Sequence, residues 1–164
     1  HKEYRRQRQM CIRDSTYSFG RYFEVTHQTV LMSGYLGSIG FGLPGAMGAW
    51  AAVGGERQVV SVSGDGGFGQ YAMDFTTACR YRMDLTHVLL DNAELGKISK
   101  EQRSAELDVW QTGLTNPDFA ELARLCGGLG VTVERSDQLD DALTAALSHP
   151  GPALVHVRSD VDLI

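Results

Sequence analysis

The chain has 164 residues, 43% of them hydrophobic, and a formal net charge of -5 at pH 7; that length allows one domain with a substantial core and is too short for two large ones. The acidic balance argues against a nucleic-acid partner, because the one basic run, residues 2–8, lies at the extreme N-terminus. No apolar stretch reaches membrane-spanning length, since the 36–54 region is broken by glycines and Pro44, and no signal-peptide core leads the chain, so a soluble cytoplasmic protein without a transmembrane segment is expected.

Residues 10–15, MCIRDS, match the translation of a transposase mosaic-end adapter used in sequencing libraries. Residues 1–15 are therefore expected to be non-native, with the domain running over 16–164. Next come a short helix over 17–24, a short strand over 30–32, and a helix over 43–53 whose alanines (Ala46, Ala49, Ala51, Ala52) permit close packing. A strand is expected over 58–63. A helix over 69–80 would carry Tyr71, Ala72, Phe75 and Cys79 on one stripe, and the β-rich run 85–90 leads into Asp91-Asn92. The tail repeats the alternation: helix 118–126 with Asn116 or Asp118 as cap, strand 130–133, helix 137–147, strand 152–157. Strand-helix-strand order with strands apolar on both faces predicts a single α/β domain, a parallel sheet flanked by helices. The long polar stretch 99–114 is expected to form a mobile flap. Three cysteines (Cys11, Cys79, Cys126) without CxxC spacing fit neither a disulfide framework nor a zinc site, and Cys79 and Cys126 read as packing residues.

Chemistry is expected beyond the carboxyl ends of two adjacent strands, where open parallel sheets bind ligands. One end offers Gly64-Asp65-Gly66-Gly67, the other Asp91-Asn92-Ala93-Glu94. Asp65 supplies a carboxylate oxygen and Asn92 an amide oxygen, a hard donor set suited to Mg²⁺ or Ca²⁺ rather than zinc. Gly66 and Gly67 let backbone N–H groups approach phosphate oxygens, with a helix N-terminus behind them. The combination describes a metal-bridged diphosphate site.

GDG at 64–66 followed by Asn92, with "SGYLGSIGFGLPGAMGAWAA" upstream and "LGKISKEQ" downstream, resembles the C-terminal, diphosphate-binding domain of thiamine-diphosphate enzymes of the pyruvate oxidase and acetolactate synthase group. The likeness runs from about residue 16 to the C-terminus, and "NPDFAELARLCG" and "GPALVHV" lean toward pyruvate oxidase. The resemblance implies the thiamine-diphosphate-binding fold, with Asp65, Asn92 and the Glu94 carbonyl as Mg²⁺ ligands and the Gly66 and Gly67 N–H groups on the diphosphate. It also implies that the Gly37 carbonyl and Ile39 backbone meet the pyrimidine. The Ile39 side chain would force the cofactor's V-shaped bend, which sets the 4′-imino nitrogen against thiazolium C2. Ser38, Gly64, Leu95 and Gly96 complete the cofactor-binding set.

By the same resemblance the catalytic glutamate comes from a separate pyrimidine-binding domain of a partner subunit in a homo-oligomer. FAD, where used, binds a middle domain. This chain alone is therefore expected to lack catalytic residues and activity, as a fragment of an enzyme that decarboxylates a 2-oxo acid, with pyruvate first. The acceptor would be a quinone or oxygen in a pyruvate oxidase-like enzyme, or a second 2-oxo acid in an acetolactate synthase-like carboligase. A noncatalytic assembly module with the same fold is the rival.

Each residue also has a plainer reading. Asp65 alone could cap the following helix, Asn92 alone could be a turn residue, and Ile39 alone core. Glu94 is expected to turn its side chain to solvent, Met32, Met47 and Met73 to fill the core, and His27, His87 and His156 show no metal-ligand pattern. His27 could face substrate or be a surface residue. Asp91 stands where the family usually has Asn; it is expected to point into the protein toward a partner and away from the diphosphate.

Overall fold

A computed structural model of the chain describes residues 20, 22–32 and 38–161. Its elements in order are α1 (Gly42–Val53), β1 (Val59–Gly64), α2 (Asp65–Tyr71), α3 (Asp74–Arg80), β2 (Leu85–Asp91), α4 (Gly96–Ser104), α5 (Phe119–Leu125), β3 (Leu129–Val133), a 3₁₀ turn (Ser136–Gln138), α6 (Leu139–Leu147) and β4 (Ala153–Arg158). The four strands form a parallel sheet in the order β1-β2-β4-β3. That is the α/β arrangement expected from strands apolar on both faces.

The two-residue period of the strands sorts their side chains between two cores. Leu85, Leu89 and Leu154 face one layer with Leu43, Phe68, Phe75 and Phe119 from the helices. Ala153 and Val155 face the other, with Ala142 and Ala146 of α6. Thr86 lies on the α6 side, where its hydroxyl donates to the Ala146 carbonyl at 3.3 Å. His87 points to the first layer and is fully buried, 4.9 Å from the Phe68 ring, with Nδ1 2.6 Å from Ser61 Oγ and Nε2 2.9 Å from Ser63 Oγ. Burial pulls its pKa down to about 3, so the ring is neutral and one serine must donate to it while the other accepts.

Several boundaries differ from the pattern-based expectation. Residues 28–32 form no strand, and Val30, Leu31 and Met32 are exposed. The helix expected over 69–80 begins at Asp65 and breaks after Tyr71, leaving Met73 64% exposed. Gly66, Gly67 and Gly69 disguise its start, since glycine is a poor helix former and only tertiary packing holds it helical there. Met47, Cys79 and Cys126 pack against the first core, as expected. Asp118 is the N-cap of α5, its Oδ1 accepting from the Glu121 N–H at 2.9 Å. Asn116 is not a cap. Residues 1–15, and residues 17–19 and 21 of the helix expected over 17–24, lie outside the described residues; residues 20 and 22 are helical and 23–24 are not, and no described helix is long and apolar enough to cross a membrane.

Helix α5 lies on β3 backbone to backbone. A Cβ at Gly130 would fall 1.9 Å from the Ala120 carbonyl oxygen, an atom that cannot rotate away. Gly130→Ala is therefore expected to destabilise the chain by about 2 kcal/mol or more, as overpacking against a fixed neighbour does. Urea denaturation would read this as a lowered midpoint; an unchanged midpoint would mean that α5 is free to lift from the sheet.

Candidate functional site

Strands β1 and β2 end level, with Gly64 opposite Leu90, and so deliver Asp65 and the Asp91-Asn92 pair to one edge of the sheet. Asp65, the first residue of α2, is 3% exposed. Its Oδ1 accepts from the Gly66 N–H at 2.9 Å and its Oδ2 from Asn116 Nδ2 at 2.6 Å. The same Nδ2 donates to Asp91 Oδ1 at 2.7 Å, and His156 Nε2 lies 2.7 Å from Asp91 Oδ2. Because ionised carboxylates only accept, Asn116 must present its NH₂ to both, and His156 must carry its proton on Nε2. His156 is fully buried on β4; its Nδ1 has no hydrogen-bond partner among the described residues and lies 3.8 Å from Asp118 Oδ1. Asp91 thus points inward onto partners, as expected of the extra carboxylate.

The two carboxylates are driven apart electrostatically. Burial, then the neighbouring Asp91 carboxyl, pushes the pKa of Asp65 up to about 6 against the lowering effect of Asn116 and the Gly66 N–H. Burial also opposes the charge of Asp91, but hydrogen bonds with His156, Asp65, Asn116 and the Ala93 N–H outweigh it and hold that carboxyl below the usual carboxylate range. Among the described residues no lysine or arginine pairs with Asp65. It is a buried carboxylate short of a cation.

After β2 the chain makes two successive Asx turns: Asp91 Oδ1 accepts from the Ala93 N–H at 3.0 Å, and Asn92 Oδ1 from the Glu94 N–H at 3.1 Å. Ala93 takes φ +55° between them. Glu94 then faces Gly113 in an antiparallel bridge whose bonds are made by its neighbours, Leu95 N–H to the Thr112 carbonyl (2.8 Å) and Leu114 N–H to the Ala93 carbonyl (2.7 Å). The Glu94 carbonyl is therefore left out of the ladder. Its carboxylate does not face solvent as expected; it accepts from the buried Ser99 Oγ and from Thr112 Oγ1 at 3.0 Å. Residues 99–114 are likewise no loose flap. They complete α4, then return under ties from Gln102, whose side-chain amide brackets the Trp110 backbone at 3.1 and 3.2 Å, and from Thr112.

The glycine-rich turn packs against both flanking segments. A Cβ at Gly66 would fall 2.6 Å from Leu95 Cδ2, and one at Gly67 would meet the Gly40 nitrogen at 3.3 Å and Ile39 Cγ1 at 3.7 Å. Ile39, Gly64, Asp65, Gly66, Gly67, Leu95 and the buried Gly96 that opens α4 are thus gathered at one place. The Gly66 N–H is held by Asp65 itself, whereas Gly67, in the first turn of α2, has an N–H without an intrahelical acceptor. Ser38 is exposed and Gly37 lies outside the described residues. His27 is exposed, its own N–H donating to Gln28 Oε1.

Asn116 went unrecognised as a site residue because its partners lie 51 and 25 positions away in sequence, a pairing that no local spacing announces. Among the described residues no three His, Cys, Asp or Glu side chains converge as a metal cluster. The expected set needs none: one carboxylate, one amide and one main-chain carbonyl, all oxygen donors, fit a hard divalent cation.

A family model described as "Thiamine pyrophosphate enzyme, C-terminal TPP binding domain" matches residues 14–157. The chain is 39% identical over 135 residues to the acetolactate synthase isozyme 2 large subunit of Escherichia coli (strain K12), an alignment covering 81% of this chain and 24% of the relative. It is 37% identical over 138 residues to YdaP of Bacillus subtilis (strain 168), covering 84% and 24%. Among solved structures it is similar to the Rhodococcus jostii RHA1 thiamine diphosphate-dependent 4-hydroxybenzoylformate decarboxylase, with a TM-score of 0.70 and 28% identity over 76% of this chain and 24% of that one. The chain spans about a quarter of the length of the curated relatives it matches.

The raised pKa of Asp65 has a measurable consequence. The folded chain keeps this proton to about pH 6 and the unfolded chain releases it near 3.8, so the folded state binds more protons in that window and the stability due to Asp65 falls as pH rises through it. With EDTA present, Asp65→Asn is expected to raise the urea midpoint at pH 7 and to lose that advantage by pH 4. An equal difference at both pH values would mean that ionising Asp65 in the fold carries no cost.

Proposed function

The chain belongs to the C-terminal TPP-binding domain family of thiamine pyrophosphate enzymes, and from that premise we propose that it holds thiamine diphosphate through Mg²⁺ at the ends of β1 and β2. The observation that carries the reading is Asp65: a buried carboxylate, its pKa pushed up to about 6 with no cationic neighbour among the described residues, set beside an Asx turn that leaves a carbonyl free. Asp65, Asn92 and the Glu94 carbonyl would hold the metal. Gly64 to Gly67, Leu95 and Gly96 would surround the diphosphate, with the Gly67 N–H as the available donor. The Gly66 N–H would join it only by leaving Asp65 Oδ1. Gly37, Ser38 and Ile39 would meet the pyrimidine side. When bound, thiamine diphosphate would supply an acidic thiazolium C–H, whose deprotonated carbon can add to the carbonyl of a 2-oxo acid, and a cationic ring that can delocalise the electron pair left behind as carbon dioxide departs.

For the whole enzyme we infer decarboxylation of a 2-oxo acid, with the activating glutamate contributed by a pyrimidine-binding domain outside this chain, from a partner subunit. The segments 116–127 and 151–157 lean toward a pyruvate oxidase-like enzyme, with FAD on a further domain. The acetolactate synthases among the chain's curated relatives support acetolactate synthase-like carboligation instead.

Calorimetric titration of the purified chain with thiamine diphosphate tests the domain-level reading. Saturable binding that requires Mg²⁺, is abolished by EDTA and is lost in Asp65→Ala is expected. A folded chain that binds nothing, either alone or with a pyrimidine-binding domain added in trans, would overturn it and leave the noncatalytic module.

A further inference from the structure

We propose that Asn116 is a positioning residue for Asp65, fixing its carboxylate in the orientation that a small octahedral cation requires and so favouring Mg²⁺ over Ca²⁺; the inference rests on the metal-site reading above. Both Asp65 oxygens are restrained, Oδ1 by the Gly66 N–H and Oδ2 by Asn116 Nδ2 at 2.6 Å. The two protons on that one nitrogen match its two acceptors, Asp65 at 2.6 Å and Asp91 at 2.7 Å. An alanine there would leave Asp65 Oδ2 facing Asp91 with no donor between them, and mutual repulsion would swing the carboxylate away.

Asn116 is itself held from two sides. Asp91 is anchored by His156 at 2.7 Å and by the Ala93 N–H at 3.0 Å. Two residues beyond Asn116, Asp118 caps α5, and the buried Phe119 ring packs edge-on against Phe68 at 5.3 Å and His156 at 5.5 Å. The amide therefore reaches Asp65 from a rigid base. Outer-layer hydrogen bonds of this kind orient metal ligands, and their loss typically lowers metal affinity roughly tenfold or more. Mg²⁺ demands near-ideal octahedral geometry, whereas Ca²⁺ tolerates displaced oxygens, so a loosened Asp65 harms Mg²⁺ binding more.

Mg²⁺ and Ca²⁺ titrations of the full chain, with thiamine diphosphate present throughout, separate this role from a merely structural one. In Asn116→Ala, Mg²⁺ affinity is expected to fall roughly tenfold and Ca²⁺ affinity less, so that the Mg²⁺ to Ca²⁺ preference shrinks while the EDTA-treated chain still melts cooperatively. Asn116→Ser, whose shorter side chain offers a single proton, keeps the test available should the alanine variant not fold, and is expected to shift the preference the same way. Unchanged affinities, or a parallel loss for both ions, in whichever variants fold would overturn the positioning role and leave Asn116 as a tie between the 105–118 segment and the sheet. A native chain that binds neither ion, both alone and with a pyrimidine-binding domain added in trans, would overturn the metal-site reading and this inference with it.

Discussion

Two carboxylates at the ends of neighbouring parallel strands are the constraint around which the carboxyl edge of this sheet is arranged. The level ending of β1 and β2 places Asp65 and Asp91 within reach of a single amide nitrogen. Like charges so close cannot both ionise freely in a partly buried site. The fold resolves the conflict asymmetrically: Asp91 receives His156, Asn116 and a backbone N–H and keeps its charge, while Asp65, more deeply buried and with weaker compensation, resists it. The asymmetry leaves Asp65 as the group with most to gain from a cation.

Close backbone approach is the second requirement, and glycine meets it. Gly66 under the Leu95 side chain and Gly67 against Ile39 and the Gly40 backbone bring the 39–40 segment, the first turn of α2 and the turn after β2 together, with no room for a Cβ on Gly66. A helix carrying three glycines in seven residues has little intrinsic stability. It is held by Phe68, buried in the first core against His87 and Phe119. The His87 ring, bonded to two serines of β1, ties that strand to β2 through side chains as well as through the ladder.

How much of this was legible in the sequence depends on whether the interaction is local. Strands such as 85–91 and 153–158 announce themselves by continuous apolar runs, and α5 by its Asp118 cap, so the parallel α/β fold followed directly. Asp65, Asn92 and the glycines stand out as candidates in the sequence because each strand end carries them within four residues. The start of α2 was hidden because its glycines are helical only in tertiary context. The direction of the Glu94 side chain depends on Ser99 and Thr112, the second of which lies 18 residues away, across a bridge that no periodicity predicts. Residues 30–32 are apolar but have no strand partner among the described residues, and Met73 sits at a helix break that the apolar spacing ran through.

The aspartate at position 91 is best understood together with Asn116 and His156. His156 presents a proton on Nε2 and Asn116 presents two on Nδ2, so position 91 must accept from both. An ionised carboxylate does this with its two oxygens. An asparagine there has one oxygen for two donors, and its own NH₂ would turn toward either the imidazole N–H or the Asn116 NH₂, where donor would face donor. Relief would require the other imidazole tautomer, with Nε2 accepting from the asparagine NH₂ and the proton moved to Nδ1, which lies 3.8 Å from Asp118 Oδ1 and has no other hydrogen-bond partner among the described residues. The charge at Asp91 is thus matched to donors contributed by β4 and by the approach to α5, residues that only the fold brings together.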